Sequence, residues 1–175
     1  SEALWVFPFE FEVVGGAGAI LRRWHMSRYY SWDISGTKDP LKKTVARGGR
    51  GLGRMSITKW AMDLYEEGDD RFTNYAIRKY YILKTAEENG KQNGVDIGAD
   101  KLPSGYAYGD TVWNSWSKVL TYKANRYDWP HSRKWDYAHD LYIDETYQYN
   151  DIVHLRLAET YLLKAEAQLA LSDPA

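Results

Sequence analysis

The sequence predicts a mainly α-helical fold, in which tetratricopeptide-like helices are joined by long loops and a few short strands. Residues 150–171 and residues 56–67 carry apolar side chains at the spacing of an amphipathic helix. Residues 33–52 and 85–108 are polar and rich in glycine, a composition typical of loops. With 175 residues, the chain is long enough for one domain of ordinary size.

The first predicted element is a β-strand. Apolar side chains recur at every second position over residues 5–13, which predicts a strand with one apolar face. Pro8 lacks a backbone donor and therefore favours an edge position or a bulge. The next segment, residues 20–32, places aromatic side chains among basic ones and leads into the first long loop.

The second predicted element is a helix over residues 56–67. Its N-cap would be Ser56, and Gly68 would end it. The apolar side chains at helical spacing are Ile57, Trp60, Ala61, Leu64 and Tyr65. Residues 71–84 are then predicted to be extended, with Tyr75, Ile77, Tyr81 and Leu83 on one side. After the second loop, residues 111–122 fit either a short helix or a strand.

The last predicted element is a helix over residues 150–171. Leu155, Leu162 and Leu169 recur every seven positions, and Ala158 and Ala165 lie on the same stripe, which predicts a packing face for another helix. Asp173 and Pro174 then resemble the N-cap and first position of a further helix. We therefore expect residues 1–175 to be part of a longer helical protein, truncated at both ends.

Composition excludes several classes of function. The net charge of −1 gives no general attraction to nucleic acid or to an anionic membrane. The chain has no cysteine, so it forms no disulfide and no zinc–cysteine site. No apolar run reaches the roughly 20 residues of a membrane span. Any membrane contact would therefore need an anchor outside this chain, upstream of Ser1.

Aromatic content points to a sugar ligand. Eight Trp and fifteen Tyr stand against four Phe, a surplus of rings with a polar edge. Such rings cover the apolar face of a pyranose, while neighbouring polar groups bind its hydroxyls. The same rings also fit anchors that hold long loops to a core, and both interpretations stay open. The candidate ligand-binding residues form two groups: Trp24, Tyr29, Tyr30 and Trp32, and then Tyr106, Trp113, Asn114 and Trp116.

Catalytic and metal-binding patterns are weak. A glycoside hydrolase needs two carboxylates facing each other across a cleft, and the candidates are the adjacent acids Glu66, Glu67, Asp69 and Asp70. Side chains of adjacent residues in an extended turn point apart, so this enzymatic alternative has little support. The four histidines do not form a metal-binding motif. We therefore predict no catalytic residues, no bound metal and no cofactor.

Three motifs resemble one protein family. The terminal segment reads Leu155-Arg156-Leu157-Ala158-Glu159, then Tyr161-Leu162-Leu163 and Ala165-Glu166-Ala167, and is similar to the signature helix of the SusD/RagB family, with Leu157 in place of the common tyrosine. The segments Tyr65-Glu66-Glu67-Gly68-Asp69-Asp70-Arg71-Phe72 and Glu2-Ala3-Leu4-Trp5-Val6-Phe7 resemble two further family patterns, in the expected order.

The resemblance implies a SusD-like C-terminal region over residues 1–175. Family members are lipid-anchored proteins on the outward side of the outer membrane. They capture glycans, without cleaving them, for a TonB-dependent (SusC-like) transporter. This implies a glycan and that transporter as partners. The alternative is a tetratricopeptide-like module that binds another protein through the stripe of the terminal helix.

Overall fold

A computed structural model describes residues 2–16, 18–115, 126–136 and 143–172; the side chains of Arg22 and Trp135 are outside this description. The chain divides into two compact units, which are described separately. Unit 1 combines Ser1–Gly18 with Tyr149–Ala175, and unit 2 is Ala19–Gln148. The predicted ligand residue Trp116 and the predicted helix start at Asp173 lie outside the described residues.

The prediction of a mainly α-helical, tetratricopeptide-like fold is wrong. The described residues contain four α-helices, of which only the last exceeds five residues: α1 (Leu21–His25), α2 (Lys59–Asp63), α3 (Ala86–Asn89) and α4 (Leu157–Ser172). They also contain ten short strands: β1 (Ala3–Phe7), β2 (Asp33–Ile34), β3 (Thr37–Lys38), β4 (Ile77–Arg78), β5 (Tyr80–Ile82), β6 (Lys91–Gln92), β7 (Val95–Asp96), β8 (Thr111–Trp113), β9 (His131–Ser132) and β10 (Ile152–Arg156).

Unit 1 is a two-stranded antiparallel sheet followed by a helix. Strand β1 pairs with β10, with Val6 opposite Val153 and Phe7 opposite Ile152. Strand β1 ends before Pro8, which cannot donate a ladder hydrogen bond, so the strand is shorter than predicted. The first part of the predicted terminal helix is strand β10, because its β-branched residues pair with β1.

Helix α4 differs from the predicted packing helix. Leu155 belongs to strand β10, so it cannot continue the stripe of Leu162 and Leu169 along the helix. Tyr161, Leu162 and Leu163 are consecutive, exposed residues, so apolar side chains lie on several sides of α4. Among the described residues of unit 1, α4 is the one helix, so this unit supplies no second helix for a hairpin. The tetratricopeptide-like hairpin, and the protein-interaction alternative that depended on it, lose their basis.

Unit 2 is built around an aromatic core. Tyr81 of β5 lies opposite Val112 of β8, and both side chains are buried, while Tyr80 and Trp113 are a cross-strand pair on the opposite face. Segment 111–113 is therefore a strand, one of the two predicted alternatives. The buried cluster consists of Tyr29, Trp32, Ile34, Leu41, Tyr81, Leu83 and Val112.

The predicted loops contain compact local structure. In the second one, Thr85 and Glu88 form a capping box at the start of α3, and Asn93-Gly94 joins β6 to β7 with positive φ at both turn residues. The first contains the β2–β3 hairpin and then a glycine-rich run that enters the core. A β-carbon at Gly51 would overlap the carbonyl oxygen of Ser27, so only glycine fits this close approach.

Two predicted elements are shortened or shifted. Helix α2 covers only Lys59–Asp63 of the predicted 56–67, and its N-cap is Thr58, whose hydroxyl accepts from the backbone N–H of Ala61. Trp60 and Leu64 are exposed, so the predicted apolar face is not buried. Segment 71–84 begins with a 3-10 turn at Asp70–Phe72 before strands β4 and β5 follow.

Candidate functional site

The first predicted ligand cluster is largely part of the core of unit 2. Tyr29 has no exposed surface, and its hydroxyl donates to the carbonyl of Gly49. Trp32 is buried in the same core. Tyr30 packs against that core from outside, and its hydroxyl donates to the carbonyl of Gly51. Trp24 is half-buried. Rings buried like Tyr29 and Trp32 offer no face to a ligand.

The second predicted cluster is divided between core and surface. Tyr106 packs against the core. Trp113 is 62% exposed, with its ring centroid 4.9 Å from that of Tyr80. Asn114 holds the end of β8 in place, since its side-chain nitrogen donates to the carbonyl of Arg78 at 2.9 Å. Among the predicted residues that the structure describes, Trp113 is the most exposed aromatic ring of this cluster.

The structure also contains a cleft that the sequence did not predict. A cleft of about 560 Å³, here called the tyrosine cleft, lies between residues 65–77 and residues 132–136 of unit 2. Strand β4 pairs with β9, and the backbone N–H of Arg133 donates to the carbonyl of Ala76, which brings these distant segments together. The side chains that give the tyrosine cleft its chemistry are Tyr65, Arg71, Tyr75, Ser132, Arg133, Lys134 and Asp136.

One wall of the tyrosine cleft is aromatic. The ring of Tyr65 is stacked on that of Phe72, with centroids 5.4 Å apart, and the guanidinium of Arg71 lies 5.8 Å from the Tyr65 ring centroid. The Nζ atom of Lys79 lies 4.0 Å from the ring centroid of Phe72. Tyr75 is 86% exposed. This wall therefore combines a ring held in place by its neighbours with a ring open to solvent.

The other wall is an ion-pair network around Asp136. One oxygen of its carboxylate accepts from Arg78 at 2.5 Å and from Arg133 at 3.1 Å. The other oxygen lies 3.4 Å from Nε2 of His131, which is fully buried. Nδ1 of His131 accepts from the backbone N–H of Ser27, so the proton of the neutral ring is on Nε2, facing Asp136.

For both Asp136 and His131, burial and the oppositely charged or polar partner shift the pKa in opposite directions. Burial alone would raise the pKa of Asp136, but the polar contact with Nε2 of His131 and the charge of Arg78 together hold that pKa below its ordinary value. Burial lowers the pKa of His131, and the nearby carboxylate of Asp136 only partly offsets this. At neutral pH, Asp136 is therefore ionised and His131 is neutral.

We expect the stability of the protein to fall as pH falls from 7 to 5. In the unfolded chain His131 takes up a proton near its ordinary pKa of 6.5, whereas in the folded protein its pKa is lower. The unfolded chain therefore binds more protons below pH 6.5, and the free energy of unfolding decreases there. One such proton changes the free energy of unfolding by up to about 1.4 kcal/mol per pH unit. Urea unfolding at several pH values measures this slope.

The control for this pH effect is His25, a partly exposed histidine whose pKa burial also lowers. His131→Gln should flatten the pH slope between 7 and 5 more than His25→Gln does. An unchanged slope in His131→Gln would contradict the assignment. A second loss of stability is expected below about pH 4, where the unfolded chain protonates Asp136 and the native site does not.

A smaller pocket of about 140 Å³ adjoins the tyrosine cleft, because Arg133 lines both. Its other chemically important side chains are Arg47, Arg78, Lys84 and Tyr80. Since Tyr80 contacts the ring of Trp113, the second predicted cluster lies next to this pocket. Arg133 thus belongs to both pockets, and Tyr80 connects the smaller pocket to Trp113.

An acidic depression shares Arg71 with the tyrosine cleft. It is lined by Glu66, Glu67, Asp69 and Arg71, so it contains three of the four acids considered for hydrolysis. Asp69 caps the 3-10 turn by accepting from the backbone N–H of Arg71, and its carboxylate also accepts from the guanidinium of Arg71 at 2.7 Å. The structure therefore gives Asp69 a structural role.

The described part of the chain contains no cluster of three or more potential metal-ligating side chains among its His, Cys, Asp and Glu residues. It also contains no helix that is both long and apolar enough to cross a bilayer.

Comparison with known proteins decides the family. The model of the SusD family matches residues 18–175, which include both walls of the tyrosine cleft. The chain belongs to the SusD family. This confirms the family resemblance predicted from the terminal motif. No curated protein and no solved structure matches the chain.

Membership has general consequences for the site. SusD family proteins are in general non-catalytic glycan-binding proteins of the outer membrane that act in carbohydrate uptake together with SusC-like transporters. The tyrosine cleft and the exposed ring of Trp113 are therefore the candidate sugar-binding surfaces.

Proposed function

We propose that this chain binds an oligosaccharide or polysaccharide at the tyrosine cleft, without cleaving it, for uptake through a TonB-dependent transporter. In the full-length protein this would take place on the outward side of the outer membrane, where a lipid anchor outside this chain holds it. The observation that carries the proposal is the exposed ring of Tyr75 inside a cleft with a polar rim, in a member of a glycan-binding family.

The walls of the tyrosine cleft match the two chemistries of a sugar ring. The C–H face of a pyranose is apolar and packs on an aromatic face, and Tyr75 and Tyr65 supply such rings. Sugar hydroxyls need donors and acceptors, which Ser132, Arg133 and Asp136 supply. The volume of about 560 Å³ lies within the usual range of small-ligand sites and accommodates a short oligosaccharide.

Trp113 stays in the proposal as a second contact. Its exposed ring next to Tyr80 lies beyond the smaller pocket, where a longer chain leaving the tyrosine cleft past Arg133 would meet it. Asn114 supports this contact by fixing the end of β8.

Replacing Tyr75 tests the proposal. Tyr75→Ala should weaken binding of the recognised polysaccharide about tenfold, the order expected for loss of one aromatic stacking partner, whereas Tyr75→Phe, which keeps the ring, should weaken it less. Isothermal titration calorimetry against plant, algal and host polysaccharides measures this.

The matched control is Tyr147→Ala, which removes an exposed tyrosine outside the tyrosine cleft. Equal affinity for Tyr75→Ala and the unchanged protein would place the sugar elsewhere. Steady release of reducing ends from a bound polysaccharide would instead favour the hydrolase alternative. Among the described residues that line the cleft, Asp136 is the one carboxylate, and it is shared by two arginines.

A further inference from the structure

Two Asn-Gly dipeptides lie close together in the segment between β5 and β8, at Asn89-Gly90 and Asn93-Gly94. In such a dipeptide the backbone nitrogen of glycine can attack the side-chain amide of asparagine, because glycine has no side chain to block the approach. The product of this attack is a five-membered succinimide ring. Since the two dipeptides have the same chemistry, their surroundings decide which of them reacts.

The structure protects the first asparagine. Asn89 is fully buried, and its Nδ2 atom donates to the carbonyls of Lys84 at 3.2 Å and of Gly98 at 3.0 Å. Attack on this amide requires both hydrogen bonds to break. Their loss should slow the reaction by roughly tenfold or more.

The second asparagine is accessible. Asn93 and Gly94 are both exposed, and they are the two residues of the turn between β6 and β7. The ladder pairs Gln92 with Val95, so its hydrogen bonds use neither residue of the turn. Within the described part of the chain, no hydrogen bond holds the side-chain amide of Asn93.

The β6–β7 hairpin also opens easily. Each strand has only two residues, and Val95 is 68% exposed, so little apolar contact stabilises the pair. Segments of this kind open locally at a small cost in free energy. Opening releases Asn93 and Gly94 from the positive φ angles of the closed turn, which gives the reacting nitrogen and carbon the freedom to approach each other.

We propose that Asn93 is a site of spontaneous deamidation and that Asn89 is not. The backbone nitrogen of Gly94 forms a bond to Cγ of Asn93, and the C–N bond of the side-chain amide breaks. The proton of the Gly94 N–H leaves through solvent with the departing ammonia. Water then opens the ring to aspartate or isoaspartate and returns a proton to the nitrogen of Gly94. The net reaction consumes one water and releases one ammonia, without oxidation or reduction.

The modification changes the hairpin in two ways. Both products carry a carboxylate where the neutral amide was. Isoaspartate also passes the main chain through its former side chain, which lengthens a turn of two residues by one carbon. A turn of altered length no longer matches the register of Gln92 with Val95, so pairing of β6 with β7 is lost in that product.

Peptide mapping of the whole chain tests the proposal. Trypsin cuts after lysine, which puts Asn89 on residues 85–91 and Asn93 on residues 92–101. After the folded protein is kept in warm, mildly alkaline buffer, mass spectrometry should show conversion of amide to carboxylate roughly tenfold or more faster in residues 92–101. Isoaspartate methyltransferase should label the same peptide. In concentrated urea the two rates should approach each other, because unfolding exposes both amides.

The matched variant is Asn93→Gly, since glycine adopts the positive φ of this turn and has no amide. It should abolish conversion in residues 92–101 and leave residues 85–91 unchanged. Equal rates at the two sites in the folded protein would overturn the inference, and so would conversion of Asn93 that begins only after unfolding. Aspartate formed without any isoaspartate would overturn the succinimide route.

Discussion

Asp100→Asn is expected to lower the free energy of unfolding by about 3–5 kcal/mol, the cost of leaving a buried charge without its partner. Asp100 has no exposed side-chain surface, and Arg47 is 4% exposed. The two form a bidentate ion pair, with nitrogen–oxygen distances of 2.9 and 2.6 Å. The substitution keeps the size of the side chain but leaves the guanidinium of Arg47 unbalanced.

The effect should be large because Asp100 also organises backbone. Its carboxylate accepts from the N–H groups of Lys42 and Lys84, and Arg47 donates to the carbonyls of Lys42 and Ile82. One ion pair thus joins three segments that have little regular secondary structure. Buried polar networks of this kind are stabilising only when every member is paired.

Asp63→Asn is the matched control for this experiment. Asp63 forms an exposed pair with Lys59 along α2, with both side chains about 60% exposed, and its loss should cost well below about 1 kcal/mol. Urea unfolding followed by far-UV circular dichroism measures both variants. Similar small losses for both would contradict the organising role of the buried pair.

Tyr29→Ala is expected to destabilise the protein by about 3–5 kcal/mol, the usual cost of removing a large aromatic side chain from a core. The ring of Tyr29 is stacked on that of Tyr81, with centroids 4.8 Å apart, and is fully buried. Tyr29→Phe keeps this stacking but leaves the carbonyl of Gly49 without its donor, which should cost about 1–3 kcal/mol.

This prediction separates a core role for Tyr29 from the ligand role suggested by the sequence. Tyr75→Ala is the comparison, since Tyr75 is exposed and its loss should change stability by no more than about 0.5 kcal/mol. In thermal unfolding, Tyr29→Ala should therefore be the strongly destabilised variant. In sugar titration, Tyr75→Ala should be the variant that loses affinity. A stable Tyr29→Ala variant that loses sugar binding would restore the original assignment.

Sequence patterns identified local structure where a short-range signal exists. The alternation in residues 71–84 put Tyr75, Ile77, Tyr81 and Leu83 on one side; the last three are buried, whereas Tyr75 is exposed. Two signals in the predicted loop 85–108 would have found more: the Thr85–Glu88 capping box and the Asn93-Gly94 hairpin turn. Both are visible in the sequence because they depend on neighbouring residues alone.

The helical predictions failed where pairing partners are distant in sequence. Residues 152–156 fit the helical pattern as well as the strand pattern, and only pairing with β1, almost 150 residues away, decides for the strand. Trp60 and Leu64 have helical spacing, yet the side chains are exposed, so spacing alone did not predict burial.

The tyrosine cleft could not be predicted for the same reason. Its aromatic wall and its ionic wall meet through the pairing of β4 with β9 and the hydrogen bonds beside it, and no spacing in the sequence links Tyr75 to Arg133. Aromatic content predicted a role for rings with polar edges, but it could not separate buried Tyr29 from exposed Tyr75. The family was found because its terminal motif is contiguous.

The central claim is that sugar binds in the tyrosine cleft, and amide chemical-shift mapping by NMR tests it most directly. On titration of the ¹⁵N-labelled chain with its tightest-binding oligosaccharide, the largest shifts should fall at Tyr65, Tyr75 and residues 132–136. The core position Tyr29 should shift little. Large shifts confined to unit 1, or to residues away from both walls of the cleft, would contradict the account.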